Sequence, residues 1–303
     1  MPETDMQTIN HTLCPLCHSD QVSSWMKTDD FMLTREAFEI WHCNDCGFRF
    51  TQNAPDADEM GKYYQSREYI SHSDIKKGLM NRLYHLGRTV MLHRKWQMIS
   101  KMKNKGKLLD IGCGTGYFAD YMKRKGYDVT GVEAEQNAKS FAEREFGLEI
   151  FPPEAFLERK LSGPFDVITL WHVLEHLHDF NLSMERIRKH LAPGGIIIIA
   201  LPNSNALDAR HYKKFWAGYD VPRHLWHFTP QTFQLLAEKH GFSILKMKRL
   251  PLDPFYNSML SEKYRGSRFY MIRGMVIGKL AYIESILWPG RSSSLVYLLG
   301  VGY

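Results

Sequence analysis

Three glycines at alternate positions constrain this 303-residue chain more than any other feature. They end the string Leu108-Leu109-Asp110-Ile111-Gly112-Cys113-Gly114-Thr115-Gly116. Lys107–Ile111 is typical of a buried strand, and the amphipathic segment from Tyr117 to Lys125 predicts a helix that ends before Gly126. Glycines let a backbone approach a ligand that a Cβ would exclude, and a helix start presents unpaired N–H groups. The segment therefore predicts the strand, glycine turn and helix of a nucleotide-binding crossover.

A second strand that ends in an acid strengthens this interpretation. Tyr127–Glu133 is predicted to be this strand, and its terminal carboxylate lies about 20 residues beyond the glycines. A carboxylate at that distance can accept hydrogen bonds from both ribose hydroxyls of a nucleotide. The dinucleotide-binding motif places its third glycine later, so the glycine spacing here differs from that motif.

Four segments in order resemble one family. Asp110-Ile-Gly-Cys-Gly-Thr-Gly116 resembles motif I of the class I S-adenosylmethionine-dependent methyltransferases. Phe165–Leu170 and the following Trp171–Leu177 are similar to that family's fourth strand and the helix after it. Leu191–Gly195 and then Ile196–Leu201 are similar to its Pro-Gly-Gly turn and fifth strand.

The resemblance implies an α/β fold with a Rossmann-like mixed sheet of seven strands. Phe242–Arg249 is the expected sixth strand, and Ser294–Leu299 is the expected antiparallel seventh. An insert at about 254–291 replaces the family's short turn between these two strands, and its apolar part predicts a helical lid or a homodimer contact. The expected domains are a zinc ribbon at 1–52, a linker and helical lid at 53–105, and the cofactor-binding core at 106–303.

The same resemblance implies that S-adenosylmethionine binds at the carboxyl edge of the sheet and leaves as S-adenosylhomocysteine. Asp110 is expected to orient the glycine turn and the cofactor's amino group, and Glu133 is expected to bind the ribose. The full expected set of cofactor contacts is Asp110, Gly112, Cys113, Gly114, Gly116, Tyr117, Glu133, Ala134, Leu170 and Trp171.

A loop rich in aromatic and titratable residues, 215–228, follows the fifth strand. In small-molecule methyltransferases of this type that loop often forms the acceptor wall. The expected substrate contacts are Tyr63, Tyr64, Tyr219, Asp220 and Arg223. A hydroxyl acceptor needs a general base, and the candidates are His172, His224 and His227, because an imidazole titrates near neutral pH. The alternative is a loop that packs on the sheet edge, with a histidine bonded to the backbone.

Two Cys-x-x-Cys pairs lie near the N-terminus. The first is Cys14 with Cys17, and the second is Cys43 with Cys46. Disulfides are rare in the cytoplasm, and four thiolates at this spacing are typical of a closed tetrahedral Zn²⁺ site that stabilises a small ribbon. The fifth cysteine, Cys113, lies in the glycine turn, where we expect it to pack.

The string His172-Val-Leu-Glu175-His176 also matches the H-x-x-E-H pattern of some zinc proteases. That pattern belongs on a helix of a peptidase fold, whereas here it follows the expected fourth strand of a methyltransferase. His176 and His178 are therefore expected to be polar helix positions. Asp179 is the expected N-cap of the next helix, 182–191.

These features together predict a methyltransferase that acts on an oxygen or carbon of a small molecule. An RNA methyltransferase is the first alternative, but residues 14–50 carry more acidic than basic side chains, so nucleic acid is a disfavoured partner. A non-catalytic scaffold for a protein partner is the second, and the intact glycine turn argues against it. The mild net charge of +6 favours no partner class. Met1–Ile9 has no apolar core and no run reaches membrane-spanning length, so a cytoplasmic protein is expected.

Overall fold

The computed structural model describes the backbone of residues 8–64 and 79–302, with side chains in 8–64 and 87–302. The part of the predicted lid at 65–78 lies outside the described residues. The strands are β1 (Thr8–Ile9), β2 (Val22–Asp29), β3 (Ala37–Cys43), β4 (Arg49–Gln52), β5 (Ala54–Pro55), β6 (Gly106–Ile111), β7 (Tyr127–Val132), β8 (Glu149–Phe151), β9 (Phe165–Trp171), β10 (Leu191–Pro202), β11 (Trp226–His227), β12 (Phe242–Arg249) and β13 (Ser294–Val301). The α-helices are α1 (Leu79–Ser100), α2 (Tyr117–Arg124), α3 (Gln136–Phe146), α4 (Pro153–Leu157), α5 (Phe180–His190), α6 (Leu207–Tyr212), α7 (Pro230–Lys239), α8 (Asp253–Tyr264) and α9 (Tyr270–Leu287).

Seven strands form one sheet in the order β12-β13-β10-β9-β6-β7-β8. Strand β6 pairs in parallel with β7 and β9, and β7 pairs in parallel with β8. Parallel strands that are covered on both faces read as continuous apolar runs, and Leu109, Ile168 and Ile198 are accordingly fully buried. The predicted Rossmann-like fold is confirmed, and β13 lies between β12 and β10 as expected.

Local capping signals set the ends of several helices. The Glu135 side chain caps the first turn of helix α3, and Gly147 ends this helix with a φ of 57°. Helix α7 starts with a capping box between Thr229 and Thr232. Helix α5 starts after Asp179, whose carboxylate accepts the amide of Leu182 at 2.8 Å.

The segment after β9 differs from the prediction. The helix expected over 171–177 is wrong, because Trp171 still belongs to β9 and His172 adopts a left-handed φ of 58° that stops regular structure. A 3₁₀ turn at Leu174–His176 is all that forms before Asp179 caps α5. His176 and His178 are therefore not α-helical positions. The predicted Pro-Gly-Gly turn is part of the long strand β10, with Gly194 at a φ of 67°.

The chain forms two units. The first contains the described residues of Met1–Ser66 together with Leu174–His178 and Ala200–Tyr297. The second contains the described residues of Arg67–Val173 together with Asp179–Ile199 and Leu298–Tyr303. The predicted domain bounds at 52 and 105 stay predictions.

In the first unit the cysteine-rich segment forms a small antiparallel sheet of β2, β3 and β4. Strand β11, from the predicted acceptor loop, extends this sheet: Trp226 pairs with Phe50, and His227 pairs with Arg49. The loop therefore belongs to the ribbon sheet, which the sequence alone did not indicate.

The insert before β13 forms helices α8 and α9. A Cβ added to Gly274 would stand 2.4 Å from the Cα of Met259, and one added to Gly278 would stand 2.7 Å from the Cα of Phe255. The two glycines therefore let the helices approach closely. Side chains elsewhere on α9, such as Ile272, are exposed, and the lid and homodimer roles stay predictions. Within the described ranges, none of the helices combines the length and the hydropathy that a membrane span requires.

Candidate functional site

The glycine turn combines two tightly packed glycines with one that faces open space. All three have left-handed φ values, 67° at Gly112, 53° at Gly114 and 78° at Gly116. A Cβ added to Gly112 would stand 2.4 Å from a methyl of Val173, and one added to Gly116 would stand 2.8 Å from the Cβ of Ala142. A Cβ added to Gly114 meets nothing within 4 Å. The outer two glycines therefore serve packing, and Gly114 leaves its face to a ligand.

The Glu133 carboxylate lies beside this open face. Its Oε2 accepts the amide of Gly114 at 2.7 Å. Its Oε1 accepts the amides of Ala134 at 3.0 Å and Glu135 at 2.9 Å. A carboxylate oxygen has two lone pairs, so Oε2 keeps acceptor capacity for a hydroxyl of a bound ligand.

Asp110 is a buried carboxyl at the end of β6. The hydroxyl of Thr169 donates to its Oδ1 at 2.6 Å. Burial raises its pKa from 3.8 to about 7, although the Thr169 hydrogen bond and the charge of Lys95 oppose this rise. The Asp110 carboxyl therefore titrates near neutral pH.

Helix α1 places two cations on predicted cofactor residues. The guanidinium of Arg88 lies 3.7 Å from the ring centroid of Tyr117, and the ammonium of Lys95 lies 4.0 Å from that of Trp171. These cations are about two helical turns apart and share one face. Lys95 was not predicted from the sequence, although its spacing from Arg88 is a usable signal. The indole Nε1 of Trp171 is buried and has no hydrogen-bond partner among the described residues.

The remaining predicted cofactor residues lie in the same unit. Leu170 is fully buried at the end of β9. The sulfur of Cys113 packs against Gly131, since a Cβ added there would stand 2.8 Å from it, and burial raises the pKa of its thiol. His172 follows at the end of β9 with its left-handed φ of 58°. Backbone strain of this kind is concentrated at functional sites.

The four paired cysteines meet in the first unit. Their sulfur atoms all lie within 4.8 Å of one another. Two of these distances, Cys14 to Cys46 and Cys17 to Cys43, are 3.6 Å. A tetrahedral zinc site with Zn–S bonds of about 2.3 Å requires sulfur separations of ~3.8 Å, so the cluster fits Zn²⁺.

Arg223 fastens residues 220–227 of the predicted acceptor loop, called the 220–227 loop below, to the ribbon. Its guanidinium is 1% exposed and bonds Asp220 at 2.6 Å and Asp30 at 2.9 Å. It also donates to the carbonyl of Tyr63 at 3.1 Å. Burial favours a raised pKa at Asp30 and at Asp220, but Arg223 together with other neighbouring donors and cations outweighs it, so the pKa of each carboxyl is lowered. The Tyr63 hydroxyl donates to Glu36.

His227 is held by the ribbon as well. The hydroxyl of Thr51 donates to the carbonyl of His224 at 2.7 Å, so it accepts from Nε2 of His227 at 3.0 Å. The ring centroids of Tyr219 and His227 are 5.3 Å apart, and both side chains are buried. Burial lowers the pKa of His227 well below 6.5.

A cluster that the sequence did not predict lies beside this loop, and it includes Glu175 and His176 of the H-x-x-E-H string. Glu175, His176 and His224 each bring one oxygen or nitrogen atom to within 4.8 Å of the others. The rings of His176 and His224 are 4.5 Å apart. Burial and the neighbouring His224 lower the pKa of His176 to about 4. The hydroxyl of Tyr64 lies 3.0 Å from Nδ1 of His176, so this predicted substrate residue belongs to the cluster. An acid–histidine pair just after a strand was the signal that could have revealed it.

Comparison with known proteins identifies the family. A methyltransferase-domain family matches residues 85–247, more than half of the chain. Ubiquinone biosynthesis O-methyltransferase from Caulobacter sp. (strain K31) is 42% identical over 119 residues, which are 37% of this chain and 47% of that protein. The chain thus spans about half the length of the curated relatives it matches.

Two solved structures share the fold. Magnesium protoporphyrin IX methyltransferase (ChlM) from Synechocystis PCC 6803 with bound SAH has a TM-score of 0.54 at 12% identity, over 82% of this chain and 100% of that chain. A SAM dependent methyltransferase from Archaeoglobus fulgidus has a TM-score of 0.50 at 21% identity, over 70% of this chain and 93% of that chain. The chain belongs to the class I S-adenosylmethionine-dependent methyltransferase family.

Proposed function

We propose that this protein transfers the methyl group of S-adenosylmethionine to a hydroxyl oxygen of a small molecule. The observation that carries the proposal is the Glu133 carboxylate, fixed 2.7 Å from the amide of Gly114 beside open space. The names of the curated relatives support an oxygen acceptor.

The described residues fit the cofactor. The open face of Gly114 admits a ligand, and Oε2 of Glu133 has capacity for a ribose hydroxyl. The rings of Tyr117 and Trp171 lie against cations of α1. When bound, S-adenosylmethionine supplies an electrophilic methyl group. Holding an acceptor in line with that group contributes up to ~7–11 kcal/mol in favourable cases.

His172 is the general base in this proposal. It directly follows Leu170 and Trp171, two of the predicted cofactor residues, and its left-handed backbone turns the chain at the carboxyl edge of the sheet. His227 is bonded to Thr51 and buried, and His224 lies in the cluster with His176. Tyr219, Asp220 and Arg223 support the loop in this proposal rather than contacting substrate directly.

The cysteine cluster is proposed to hold a structural Zn²⁺. Four thiolates complete a tetrahedral site and leave no position for a reacting group. The ion would stabilise the ribbon that carries Asp30 and Thr51, the partners of the 220–227 loop. A cytoplasmic location and a homodimer are further proposals that follow from the sequence.

Cofactor binding is tested by calorimetric titration of the protein with S-adenosylhomocysteine. Glu133→Ala should weaken binding by roughly 10- to 100-fold, because a hydrogen bond to a charged group contributes about 1.5–3 kcal/mol. Glu143→Ala, on the exposed side of α3, is the matched control and should bind like the wild type. A folded wild type that binds no S-adenosylhomocysteine would support the scaffold alternative and end the enzyme proposal.

Methyl transfer is tested with labelled S-adenosylmethionine and a panel of phenols, catechols and sugars, with total RNA as a comparison substrate. We expect label in a small-molecule hydroxyl. His172→Gln should lower the rate by about 10²–10⁴-fold while leaving S-adenosylhomocysteine affinity unchanged. Label in RNA alone would replace this proposal with the RNA methyltransferase alternative.

A further inference from the structure

We propose that Glu175, His176 and His224 form a second metal site, which binds a divalent transition-metal ion such as Zn²⁺. One carboxylate oxygen and one nitrogen from each ring lie within 4.8 Å of one another. Two imidazoles and one carboxylate are a ligand set that leaves positions open on the metal. This inference concerns metal binding and is independent of the proposed methyl transfer.

The hydrogen bonds of the two rings orient them as metal ligands. Nδ1 of His224 lies 2.9 Å from the carbonyl of Gly218, and Nδ1 of His176 lies 3.1 Å from the carbonyl of Arg223. A carbonyl can only accept, so each Nδ1 carries a proton, which in His176 is shared with the Tyr64 hydroxyl oxygen at 3.0 Å, and a metal ion would bind at Nε2. Metal-binding histidines in proteins are held in this way, with the second ring nitrogen donating to a carbonyl or carboxylate.

The backbone around the three ligands is also fixed. The amide of Leu225 donates to the carbonyl of Glu175 at 2.8 Å, which joins the two ligand-bearing segments. Thr51 bonds the carbonyl of His224, and the neighbouring Arg223 is paired with Asp30 and Asp220. Ligands held by such contacts need little reorganisation to receive an ion.

The exposure of the ligands suits an open site rather than a closed one. Glu175 and His224 are buried, whereas a small part of His176 is exposed. An ion held by two nitrogens and one oxygen keeps room for a water or for an oxygen of a small molecule. The four-sulfur cluster in the ribbon is closed, so the two sites differ in chemistry and can be told apart spectroscopically.

The test is a Co²⁺ titration of full-length protein whose cysteine site has first been loaded with Zn²⁺. We expect one equivalent of Co²⁺ to bind and to give visible d–d absorption without the intense thiolate charge-transfer bands of a sulfur site. Added Zn²⁺ should displace it. Glu175→Gln and His224→Gln should each abolish the signal, while His178→Gln should keep it, because His178 lies on the same segment but bonds Pro55 instead.

Several outcomes overturn the proposal. The first is that folded wild-type protein with Zn²⁺ in its cysteine site binds no Co²⁺. In that case the three residues form a hydrogen-bonded cluster and no metal site. Co²⁺ binding that survives both ligand substitutions places the ion elsewhere. Circular dichroism and ribbon zinc content establish that each variant is folded. If a variant is not folded, nitrogen NMR of wild-type protein labelled at its histidines tests the metal site instead. Added Zn²⁺ should shift the Nε2 signals of two histidines, and unchanged signals would overturn the proposal.

Discussion

The glycine turn and the 220–227 loop hold their functional groups in place by different means. In the glycine turn, backbone amides and left-handed glycines within 112–116 position the carboxylate of Glu133. In the loop, buried side chains reach across the sequence, and the pair Arg223–Asp30 joins residues 193 positions apart. The first arrangement is local and encoded in one contiguous stretch, whereas the second exists only when the ribbon is folded.

Because of this difference, zinc and the glycines should stabilise different regions. Zinc in the ribbon should support the 220–227 loop, and the glycines should support the position of the Glu133 carboxylate. Whatever unfolds the ribbon removes Asp30 and Thr51 from the loop that carries His224. The hydrogen bonds between Glu133 and the glycine turn involve no ribbon residue. The two regions should therefore fail separately.

The largest expected effect is that of zinc removal. Cys14→Ser, or treatment with a strong chelator, should unfold the ribbon, because structural zinc contributes apparent free energies of about 10–16 kcal/mol in small zinc domains. The measured zinc content should fall by the amount bound in the ribbon, and the near-ultraviolet circular dichroism signal should lose intensity. Cys113→Ser is the matched control and should keep the ribbon zinc. Calorimetry should find S-adenosylhomocysteine affinity nearly unchanged in Cys14→Ser, and its loss would contradict the independence of the two regions.

The next effect is that of the buried ion pair. Asp30→Ala leaves Arg223 buried with one carboxylate partner and should lower the free energy of unfolding by about 3–5 kcal/mol. Lys27→Ala, which removes an exposed pair to Glu39 of similar length at 3.0 Å, should cost less than about 1 kcal/mol. Urea unfolding of both variants measures the difference. Equal costs would mean that Arg223 does not fasten the loop to the ribbon.

The same contrast explains what the sequence could and could not predict. Asp110, the three glycines and Glu133 are recognisable because their spacing is local, and the mixed sheet of seven strands followed from the resemblance. Strand β11 and the pairing of Arg223 with Asp30 were not predictable, because no periodicity links residue 30 to residue 223. The helix expected over 171–177 does not form, because His172 adopts a left-handed φ. Nothing in the apolar pattern of the sequence signals that conformation.

A pH-dependent effect should arise from two buried carboxyls, Asp110 beside the glycine turn and Asp208 in α6. Folding raises the pKa of Asp110 from 3.8 to about 7 and that of Asp208 from 3.8 to about 6 through burial. An acid whose pKa rises on folding stabilises the protein fully below the unfolded pKa, and this contribution is lost as pH rises through the folded value. Stability should therefore fall between about pH 4 and 7.

Substitution separates the two carboxyls. Asp110→Asn should flatten the part of the slope nearest to pH 7, and Asp208→Asn should flatten the part below about pH 6. Urea unfolding across this range measures both slopes. A slope near pH 7 that is unchanged in Asp110→Asn would show that this carboxyl is ionised in the folded protein throughout.

The smallest expected effect distinguishes the two kinds of glycine within one turn. A left-handed φ costs a residue with a Cβ roughly 1–2 kcal/mol, so Gly114→Ala and Gly116→Ala share that penalty. Gly116→Ala adds a clash at 2.8 Å with Ala142 and Leu148 and should be the less stable variant by about 1–3 kcal/mol. Gly114→Ala meets no protein atom within 4 Å, so its methyl group occupies the space proposed for the cofactor. Thermal unfolding should rank Gly116→Ala below Gly114→Ala. Calorimetry should show that Gly114→Ala weakens S-adenosylhomocysteine binding although the protein remains folded, because in the proposed site the added methyl group covers backbone that glycine leaves open.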